Sequence, residues 1–456
     1  MILGIGYANS VRAMRFGPSL SYYIRSGWPP GRPPKMLMNN NPEKTPPTDG
    51  DRFFTAPLAV IFLIVFIDLV GFGMIIPILP LYASHEPFLA TPLEIGMVLS
   101  IYSWMQFIFS PLLGRLSDRY GRRPVLFVSL LGSAAGYLVI GVAASITLVF
   151  VGRVVSGITG GNISAAQAYI ADVTSKENRA KGMGLFGAAF GLGFVLGPAL
   201  GGILSKFSIH LPFYFAAGLS TASAVATYVL LPEAKRPGSN SADTSSKGIG
   251  SLLQPFRERT FALINIVYFL LVTSFSIMTY AFVLFTAFSF GYTGEQNGYL
   301  FFFVGLVAVL GQGVLFGRLA KVFGEERLAP IGCLMMAVSF LVIPLIAPNS
   351  GGLPALLGVC VLLSLGNAIA SPSLTSLASK TVHDDEQGRS LGLMQSGASL
   401  ARAIGPMLGG VLLNNALNQV DEHTLYRTFW TASVIMILAL LAGLYFMGIY
   451  RKKVPA

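Results

Sequence analysis

Residues 114–126 read GRLSDRYGRRPVL, and they hold five charged side chains. Only 11% of the 456-residue chain is charged, whereas a soluble protein of this length carries about 25%. An apolar stretch of about 20 residues lies on each side of the quoted segment, long enough to cross a hydrocarbon core as a helix. The segment is therefore predicted to be a short loop between two membrane spans.

The same apolar pattern recurs along the chain from residue 56 onward. Gly and Pro interrupt many of the apolar stretches without ending them, which membrane-spanning helices tolerate. The sequence therefore predicts an all-α membrane protein with twelve transmembrane helices, at 56–83, 94–114, 123–143, 147–171, 181–205, 212–231, 260–288, 296–320, 327–347, 353–379, 388–414 and 426–450.

The basic residues lie mostly on one side of the predicted membrane. An even number of spans puts both termini on that side, together with the loops 115–123, 172–182, 232–259, 318–327 and 380–389. Of the 31 Lys and Arg residues, all lie on that side except Lys206 and Arg427 at opposite loops and Arg153 and Arg402 within spans. This asymmetry predicts that the termini and the quoted loop are cytoplasmic. The net charge of +11 then orients the chain in the bilayer and does not indicate nucleic-acid binding.

Two polar segments stand apart from the spans. Residues 1–52 are predicted to be an N-terminal cytoplasmic tail, either disordered or the product of a start codon assigned too far upstream, and we exclude them from the fold. Residues 232–259 are rich in Ser and Gly and are predicted to be a flexible cytoplasmic linker. The linker separates two six-helix bundles at 53–231 and 260–450, and 451–456 form a cytoplasmic C-terminal tail.

The two predicted bundles repeat each other in sequence. GLFGAAFGLGFVLGPALGG at 184–202 aligns with GLMQSGASLARAIGPMLGG at 392–410, with an offset of 208 residues. GRLSDRYGRR at 114–123 aligns with GRLAKVFGEE at 317–326, with an offset of 203 residues. Because six helices separate each pair, the paired helices run in the same direction. This predicts two parallel six-helix repeats, an arrangement in which two bundles rock about a central substrate site.

Several segments make the chain resemble a known family. They are the loop at 114–123, DLVGFGMIIPILP at 68–80, GFVLGPALGG at 193–202 and GRVVSGITGGNISAAQAYIADVTSKENRAKGMG at 152–184. Over most of its length the chain resembles the major facilitator superfamily, and in particular the tetracycline-efflux branch of its twelve-helix drug:proton antiporters. The resemblance implies the major facilitator fold and proton-coupled export of a small molecule.

The loop at 114–123 corresponds to a conformational latch that favours the outward-open state in this family. Asp118 can face the N-terminus of a helix in the other half, where the helix dipole favours an anion. Arg122 can pair with Asp172 at the end of the fourth span. A loop that only orients the chain is the alternative, but charge bias explains neither Asp118 nor the glycines. The resemblance assigns the latch to Gly114, Asp118, Arg119, Gly121, Arg122, Arg123 and Asp172.

The second half carries a decayed copy of this latch. Lys321 and Glu325 occupy the positions that correspond to Asp118 and Arg122. We therefore expect the second latch to be weak.

Proton coupling is predicted to involve Asp68 and Arg153. Asp68 lies about 18 Å along the first span, where an isolated carboxylate is costly unless it faces the bundle interior, protonates or pairs with a cation. A carboxylate that changes protonation while facing alternate sides suits a proton-coupled exporter. The alternative is a neutral Asp bonded to nearby backbone. The resemblance places Arg153 at an arginine implicated in coupling, with a salt-bridge brace as the structural alternative.

The fifth span carries the pattern associated with antiporters rather than importers. Its small residues allow close helix contact, and its proline removes one backbone donor and permits a bend. We expect this helix and its repeat in the eleventh span to form the rocking surfaces. The residues of the motif are Gly193, Gly197, Pro198, Gly201 and Gly202.

Polar residues within the spans are candidates for the substrate cavity. Each glutamine or asparagine either contacts substrate or makes an interhelical hydrogen bond. Arg402 either contacts an anionic group of the substrate or locks helices together. These candidates are Gln106, Asn162, Gln167, Gln312, Asn367, Gln395 and Arg402.

The chain departs from tetracycline exporters at the groups tied to their metal-bound substrate. Gly136 stands where their third helix has an acid, and Ala308 stands where their eighth helix has a histidine. The ninth span has no acid at all. We therefore expect a different hydrophobic or amphipathic cargo.

These observations predict a proton-coupled exporter that works by alternating access as a monomer in the bacterial inner membrane. Its partners are the cargo, protons and lipid, and its energy source is the proton gradient without a cofactor. An uptake permease of the same fold is one alternative, and a non-transporting membrane receptor is another. No nucleophile–base pair indicates an enzyme, and four His and two Cys are scattered without metal-ligand spacing. Cys333 and Cys360 are predicted to pack in the protein core.

Overall fold

The computed structural model describes residues 55–174, 178–234, 258–381 and 387–453. The N-terminal tail, most of the predicted linker and the last three residues lie outside this range. Within it, twelve helices are long and apolar enough to span a membrane, which confirms the predicted number. They are α1 Ala56–Ser84, α2 Pro92–Tyr120, α3 Arg122–Gly141, α4 Ile146–Val173, α5 Arg179–Ser205, α6 Leu211–Leu230, α7 Arg259–Phe290, α8 Gly294–Phe323, α9 Glu325–Leu345, α10 Gly352–Lys380, α11 Gln387–Leu413 and α12 Glu422–Lys453.

The loop predicted at 115–123 is wrong in its extent: α2 continues to Tyr120 and α3 begins at Arg122, so only Gly121 lies between the two helices. Helix α12 continues to Lys453, three residues beyond the predicted span. Helix α4 changes to a 3₁₀ turn at Gly160–Asn162, and α8 changes to a π-helical stretch at Gly311–Phe316. Such irregular turns often mark functional sites in membrane helices. Both border the central cavity described below.

Helices α2 and α8, which correspond in the two halves, begin with the same capping interaction. Thr91 is the N-cap of α2, and its backbone N–H donates to the Glu94 carboxylate at 2.8 Å. Thr293 is the N-cap of α8, and its backbone N–H donates to the Gln296 side chain at 2.7 Å. These reciprocal caps satisfy N–H groups that a helix start leaves free.

The loop between α2 and α3 and the loop between α8 and α9 also match. Each is a single glycine at positive φ, Gly121 at 108° and Gly324 at 78°. Glycine adopts this conformation without a steric cost. The repeated sequence thus produces a repeated turn, 203 residues apart.

Each half packs its six helices in the same order. In the first half α1 packs on α5 and α6, and α3 packs on α4 and α6; in the second half α7 packs on α11 and α12, and α9 packs on α10 and α12. The two halves meet through α2 against α11 and α5 against α8. This is the predicted arrangement of two parallel repeats. Cys333 and Cys360 are fully buried in the core of the second half, as predicted.

We call the membrane face that carries the loop 114–123 the latch face and the other the opposite face. At the opposite face the halves are in close contact. Tyr280 of α7 donates to the Pro92 carbonyl at 2.5 Å, and Lys206 lies 3.4 Å from the Glu295 carboxylate. The two halves are therefore sealed against each other at this face.

At the latch face the corresponding helices are apart. A Cβ atom added to Gly187 of α5 or to Gly392 of α11 would meet no described atom within 4 Å, and both glycines line the cavity between the halves. The structure therefore shows a conformation that is sealed at the opposite face and open at the latch face.

Candidate functional site

A cavity of about 1240 Å³ lies between the two halves. Aromatic side chains such as Phe72, Phe194 and Phe301 form much of its wall. At the latch face it reaches Gly114 and Gly392, where the halves are apart. All the polar cavity candidates line this one space, namely Gln106, Asn162, Gln167, Gln312, Asn367, Gln395 and Arg402. The structure shows their positions, and contact with a substrate stays a prediction.

Asp68 lies on the cavity wall and is half-buried. The hydroxyl of Ser220, from α6, donates to its carboxylate at 3.1 Å, and the Asn162 side chain lies within hydrogen-bonding reach. These partners are side chains, so the alternative of an Asp bonded to nearby backbone is not what the structure shows. Both the charged and the neutral carboxyl group can bond to a hydroxyl and an amide.

Arg153 is buried in the wall beside α2. Its Nε donates to the Val98 carbonyl at 3.3 Å, and its guanidinium lies 4.4 Å from the centre of the Tyr102 ring. Its Nη1 makes no hydrogen bond to a described residue. Arg153 therefore braces α4 against α2 through a carbonyl and a ring rather than through a salt bridge. Tyr102 lies in electrostatic range of Asp68, Arg153 and Arg402.

The remaining polar candidates divide by their contacts. Gln106 is 7% exposed and donates to the Gly160 carbonyl at 3.0 Å, so it makes the interhelical hydrogen bond that was one of its two alternatives. Arg402 is half-buried on the cavity wall, and its Nη2 donates to the Ser399 hydroxyl at 3.1 Å. The side chains of Gln312 and Gln395 are exposed, and both residues line the cavity.

Arg122, at the start of α3, links the turn at Gly121 to other residues of its own half. Its guanidinium lies 2.6 Å from the Asp118 carboxylate and 2.9 Å from Asp172 at the end of α4. Its backbone N–H donates to Glu233 at 2.8 Å, and that carboxylate lies beside Gly121, where a Cβ would meet it at 3.0 Å. The structure therefore contains the ion pair between Arg122 and Asp172 that the sequence suggested.

Two other arginines of the loop contact aromatic residues. Arg123 donates to the Tyr228 carbonyl, and its guanidinium lies 5.1 Å from the ring of Tyr228. Arg119 lies 5.4 Å from the ring of Tyr120. Asp118 is 64% exposed and its ion pair is with Arg122 of the same half, so a contact between Asp118 and the other half stays a prediction.

The second half contains the same ion pair with its charges exchanged. Glu325, at the position of Arg122, lies 2.7 Å from Lys380 at the end of α10 and also accepts from Ser376. Lys380 corresponds to Asp172 with an offset of 208 residues. Asp118, Arg122 and Asp172 of the first half thus correspond to Lys321, Glu325 and Lys380 of the second half. Each charge has the opposite sign in the second half. Lys321 and Glu325, which the sequence suggested were a decayed copy, therefore belong to a charge pattern with the signs reversed.

The glycines of the fifth-helix motif contact two different helices. A Cβ on Gly193, Gly197 or Gly201 would lie within 2.7 Å of α1, the helix that carries Asp68. A Cβ on Gly202 would lie 2.8 Å from the Gly298 Cα atom of α8, in the other half. Helix α5 thus joins the helix of Asp68 to the seal at the opposite face, and Pro198 lines the cavity between them.

Sequence reasoning missed the partners of these motifs. Gly96 of α2 contacts Pro406 and Gly410 of α11, and Gly298 of α8 makes the equivalent contacts with α5. The signal was present in the repeat, because TPLEIG at 91–96 aligns with TGEQNG at 293–298. Tyr102, Ser220 and Glu233 carried no comparable signal, since such residues are common in and near membrane spans.

Comparison with known proteins now identifies the family. The family model described as Major Facilitator Superfamily matches residues 61–406 and 314–456. The chain belongs to the major facilitator superfamily. Its relatives include the class H tetracycline resistance protein of Pasteurella multocida, 30% identical over 87% of this chain and 97% of that protein. Multidrug resistance protein 2 of Bacillus subtilis (strain 168) is 29% identical over 82% of this chain and 91% of that protein.

Solved structures of other major facilitator proteins share the fold. The human organic anion transporter MFSD10 (TETRAN) superposes with a TM-score of 0.64 and 27% identity, over 85% of this chain and 99% of that one. A bacterial homologue of the human lysosomal transporter Spinster, in an inward-facing conformation, has a TM-score of 0.72 and 14% identity, over 88% of this chain and 98% of that one. The major facilitator protein described here is therefore a multi-pass transporter that resembles drug-efflux proteins.

Proposed function

We propose that this transporter is a proton-coupled antiporter that exports a small hydrophobic or amphipathic compound by alternating access. The observation that carries the proposal is Asp68, a carboxylate at mid-membrane on the wall of a cavity that spans both halves. It acts as a monomer in the bacterial plasma membrane, with the proton gradient as its energy source and without a cofactor. The names of its drug-efflux relatives support export.

The excess of Lys and Arg at the latch face supports a cytoplasmic location for that face and for both termini. The conformation described above is then inward-facing. Cargo enters the open cavity from the cytoplasm, while the contacts of Tyr280 and Lys206 keep the outer end closed.

Competition between cargo and proton provides the coupling. Ser220 donates a hydrogen bond to Asp68, and the charged carboxylate binds a cationic or hydrogen-bond-donating group of the cargo. After the cavity turns outward, a proton from the outside neutralises Asp68 and the cargo leaves. The protonated carrier then returns and releases the proton into the cytoplasm.

Helix α5 couples a movement of α1, which carries Asp68, to the contact between the two halves at the opposite face. Gly197 and Gly201 leave no space between α5 and α1, so α1 cannot shift without moving α5. Gly202 and Pro198 then move against Gly298 in the other half. When the cytoplasmic end closes, Asp118 engages the other half as the latch.

The cargo differs from tetracycline. The tetracycline exporters' third-helix acid is replaced by Gly136, and a Cβ there would lie 2.8 Å from the Gly152 carbonyl of α4. No side chain fits at that position without separating α3 from α4. Ala308, at the histidine position, lines the cavity but offers no polar group.

Everted membrane vesicles test the proposal. A proton gradient is formed, cargo candidates are added, and release of protons is followed with a fluorescent dye. Cargo should dissipate the gradient in wild-type vesicles, and Asp68→Asn should abolish the response. Asp421→Asn is the matched control, because Asp421 is a half-buried loop residue outside the cavity, and the Thr424 N–H and the Asn415 side chain hold the pKa of its carboxyl group below its ordinary value.

Three results would lead to other conclusions. Full gradient-driven transport by Asp68→Asn would contradict the role of Asp68. Counterflow into right-side-out vesicles without export would indicate an uptake permease. Ligand binding without any flux would indicate a non-transporting receptor.

A further inference from the structure

The charges on the cavity wall are few and unevenly distributed. Among the described residues that line it, the ones with permanently or readily charged side chains are Asp68 and Arg153 in the first half and Arg402 in the second. Arg153 is 3% exposed and is held against α2 by the Val98 carbonyl and the Tyr102 ring, although its Nη1 makes no hydrogen bond to a described residue. Asp68 and Arg402 are the two that remain open to the cavity.

Arg402 lies on the stripe of α11 that faces this space. Gln395, Ser399, Arg402 and Pro406 all line the cavity, at the spacing of one helix face. The guanidinium has five N–H donors, and its hydrogen bond to the Ser399 hydroxyl uses one of them. An arginine at membrane depth is costly unless a partner or water-filled cavity receives it. The remaining N–H donors of Arg402 have no acceptor among the described residues and are available to a ligand in the cavity.

Neither charge has a charged counterpart in the other half of the repeat. With the offset of 208 residues, Arg402 corresponds to Phe194, and with the offset of 203 residues Asp68 corresponds to Leu271. Phe194 and Leu271 also line the cavity. Each half thus carries an apolar residue where the other carries a charge.

Antiport limits which ligand can satisfy both charges. A cargo that carries only an anion would bind more tightly when Asp68 is protonated, so proton and cargo would travel in the same direction. A cargo that carries only a cation would compete with the proton but would be repelled by Arg402. A cationic group near Asp68 and an anionic group near Arg402 satisfy both conditions.

We infer that the cargo is an amphipathic zwitterion, with an apolar or aromatic body between its cationic and anionic groups, and that Arg402 binds the anionic group. This inference rests on the proposed antiport. Arg402 is then the residue that distinguishes a zwitterion from a cation with the same body. A carboxylate or sulfonate suits it, because two oxygens on one centre can each accept one of the two parallel N–H bonds of a guanidinium.

Three dyes with one xanthene scaffold test the inference. Rhodamine 110 is a zwitterion, rhodamine 123 is its cationic methyl ester, and fluorescein is an anion. Binding of each to the purified full-length protein in detergent is measured by fluorescence anisotropy at neutral pH. Wild-type protein should bind rhodamine 110 most tightly. Arg402→Gln should raise the Kd of rhodamine 110 by about tenfold to a hundredfold, the range for a lost charged hydrogen bond. It should not raise the Kd of rhodamine 123, because the substitution removes the repulsion between the guanidinium and this cation.

The variants control for folding and for charge. Retained rhodamine 123 binding shows that Arg402→Gln is folded. Arg402→Lys should lie between the wild type and Arg402→Gln for rhodamine 110, because it keeps the charge and loses the fork of donors. Arg259→Gln, a matched change outside the cavity where Arg259 contacts Tyr445, should leave all three affinities unchanged.

Several outcomes would overturn the inference. These are equal binding of rhodamine 110 and rhodamine 123 by the wild type, no effect of Arg402→Gln, tightest binding of fluorescein, or no binding of any dye. Failure of the proposed antiport looks different. In that case rhodamine 110 binds with the expected dependence on Arg402, but no dye dissipates the proton gradient in everted vesicles.

Discussion

The two halves of the molecule share a backbone but differ in their charges. Gly121 and Gly324 make the same turn, and Gly96 and Gly298 make the same contact with the other half. The charged residues follow no such rule. Asp68 and Arg402 each correspond to an apolar residue, and the pair Arg122–Asp172 is reversed as Glu325–Lys380.

The residues that allow the two halves to rock therefore differ from the residues that bind the proton and the cargo. A rocking motion about a shared axis requires equivalent close contacts in both halves, and only glycine permits backbones to approach so closely. Charges that bind a proton or a cargo are needed once, so each half is free to lose one of them. The loop ion pair needs opposite charges but no particular order, which allows the reversal.

The largest effect is expected from moving the carboxylate to the other half. The double variant Asp68→Leu with Leu271→Asp keeps the composition and places the acid at the corresponding position of α7. Gradient-driven transport in vesicles should fall to background, because the Ser220 hydroxyl that donates to Asp68 lies at the original position. Transport at wild-type rate would show that the halves are interchangeable and would contradict the assignment of Asp68.

A smaller effect is expected from the glycines at the seal. A Cβ on Gly298 would lie 2.6 Å from the Pro198 carbonyl, and one on Gly96 would lie 2.5 Å from the Pro406 carbonyl. Overpacking by one methyl group costs about 1–3 kcal/mol, so Gly298→Ala and Gly96→Ala should each shift the equilibrium at least about fivefold toward an open opposite face. Spin labels attached to cysteines at the exposed positions 207 and 417, through Phe207→Cys and Leu417→Cys, would report this equilibrium as a distribution of distances between the two halves.

Gly218→Ala is the matched control for the seal, because a Cβ at Gly218 meets no described atom within 4 Å. It should leave the distance distribution unchanged. The equivalence of the two seal contacts would be refuted if Gly96→Ala and Gly298→Ala differed strongly, or if neither differed from Gly218→Ala.

The smallest effect is expected from the loop ion pairs, and it should differ between the halves. Arg122→Glu places a carboxylate beside Asp118 and Asp172, whereas Glu325→Arg faces Lys380, whose side chain is 57% exposed and free to move away. Exposed pairs contribute about 0.2–1 kcal/mol. Arg122→Glu should therefore lower both the Tm and the transport rate more than Glu325→Arg does.

Adding Asp172→Lys to Arg122→Glu reproduces the arrangement of the second half. We expect the Tm to recover and transport to recover only in part, because Asp118 still lies beside the introduced carboxylate. Full recovery of transport would show that Asp118 has no role as a latch.

Much of the fold could be predicted from the sequence because hydropathy alone identifies spans in a chain that must satisfy its backbone within the bilayer. The repeat in GLFGAAFGLGFVLGPALGG further indicated two parallel halves. The positions of Asp68 and of the polar candidates on one cavity follow from the cost of placing polar groups toward lipid. Their roles in transport stay predictions.

Other features required the tertiary structure. Nothing local in the sequence links Glu325 to Lys380, which lie 55 residues apart, so the reversed ion pair was read as decay. The sequence also does not indicate which face is open, because the same residues form both conformations. Ser220 is one serine among many, and its proximity to Asp68 depends on how α6 packs on α1.

The most direct test of the central claim, that cargo and proton compete at Asp68, is the number of protons released when cargo binds. Purified protein in weakly buffered detergent is titrated with rhodamine 110 at several values between about pH 5 and pH 8, and a pH-sensitive dye reports the released protons. We expect the wild type to release up to about one proton per bound dye, and Asp68→Asn to release none. Equal release by both proteins, or binding to the wild type without release at any pH, would contradict the account.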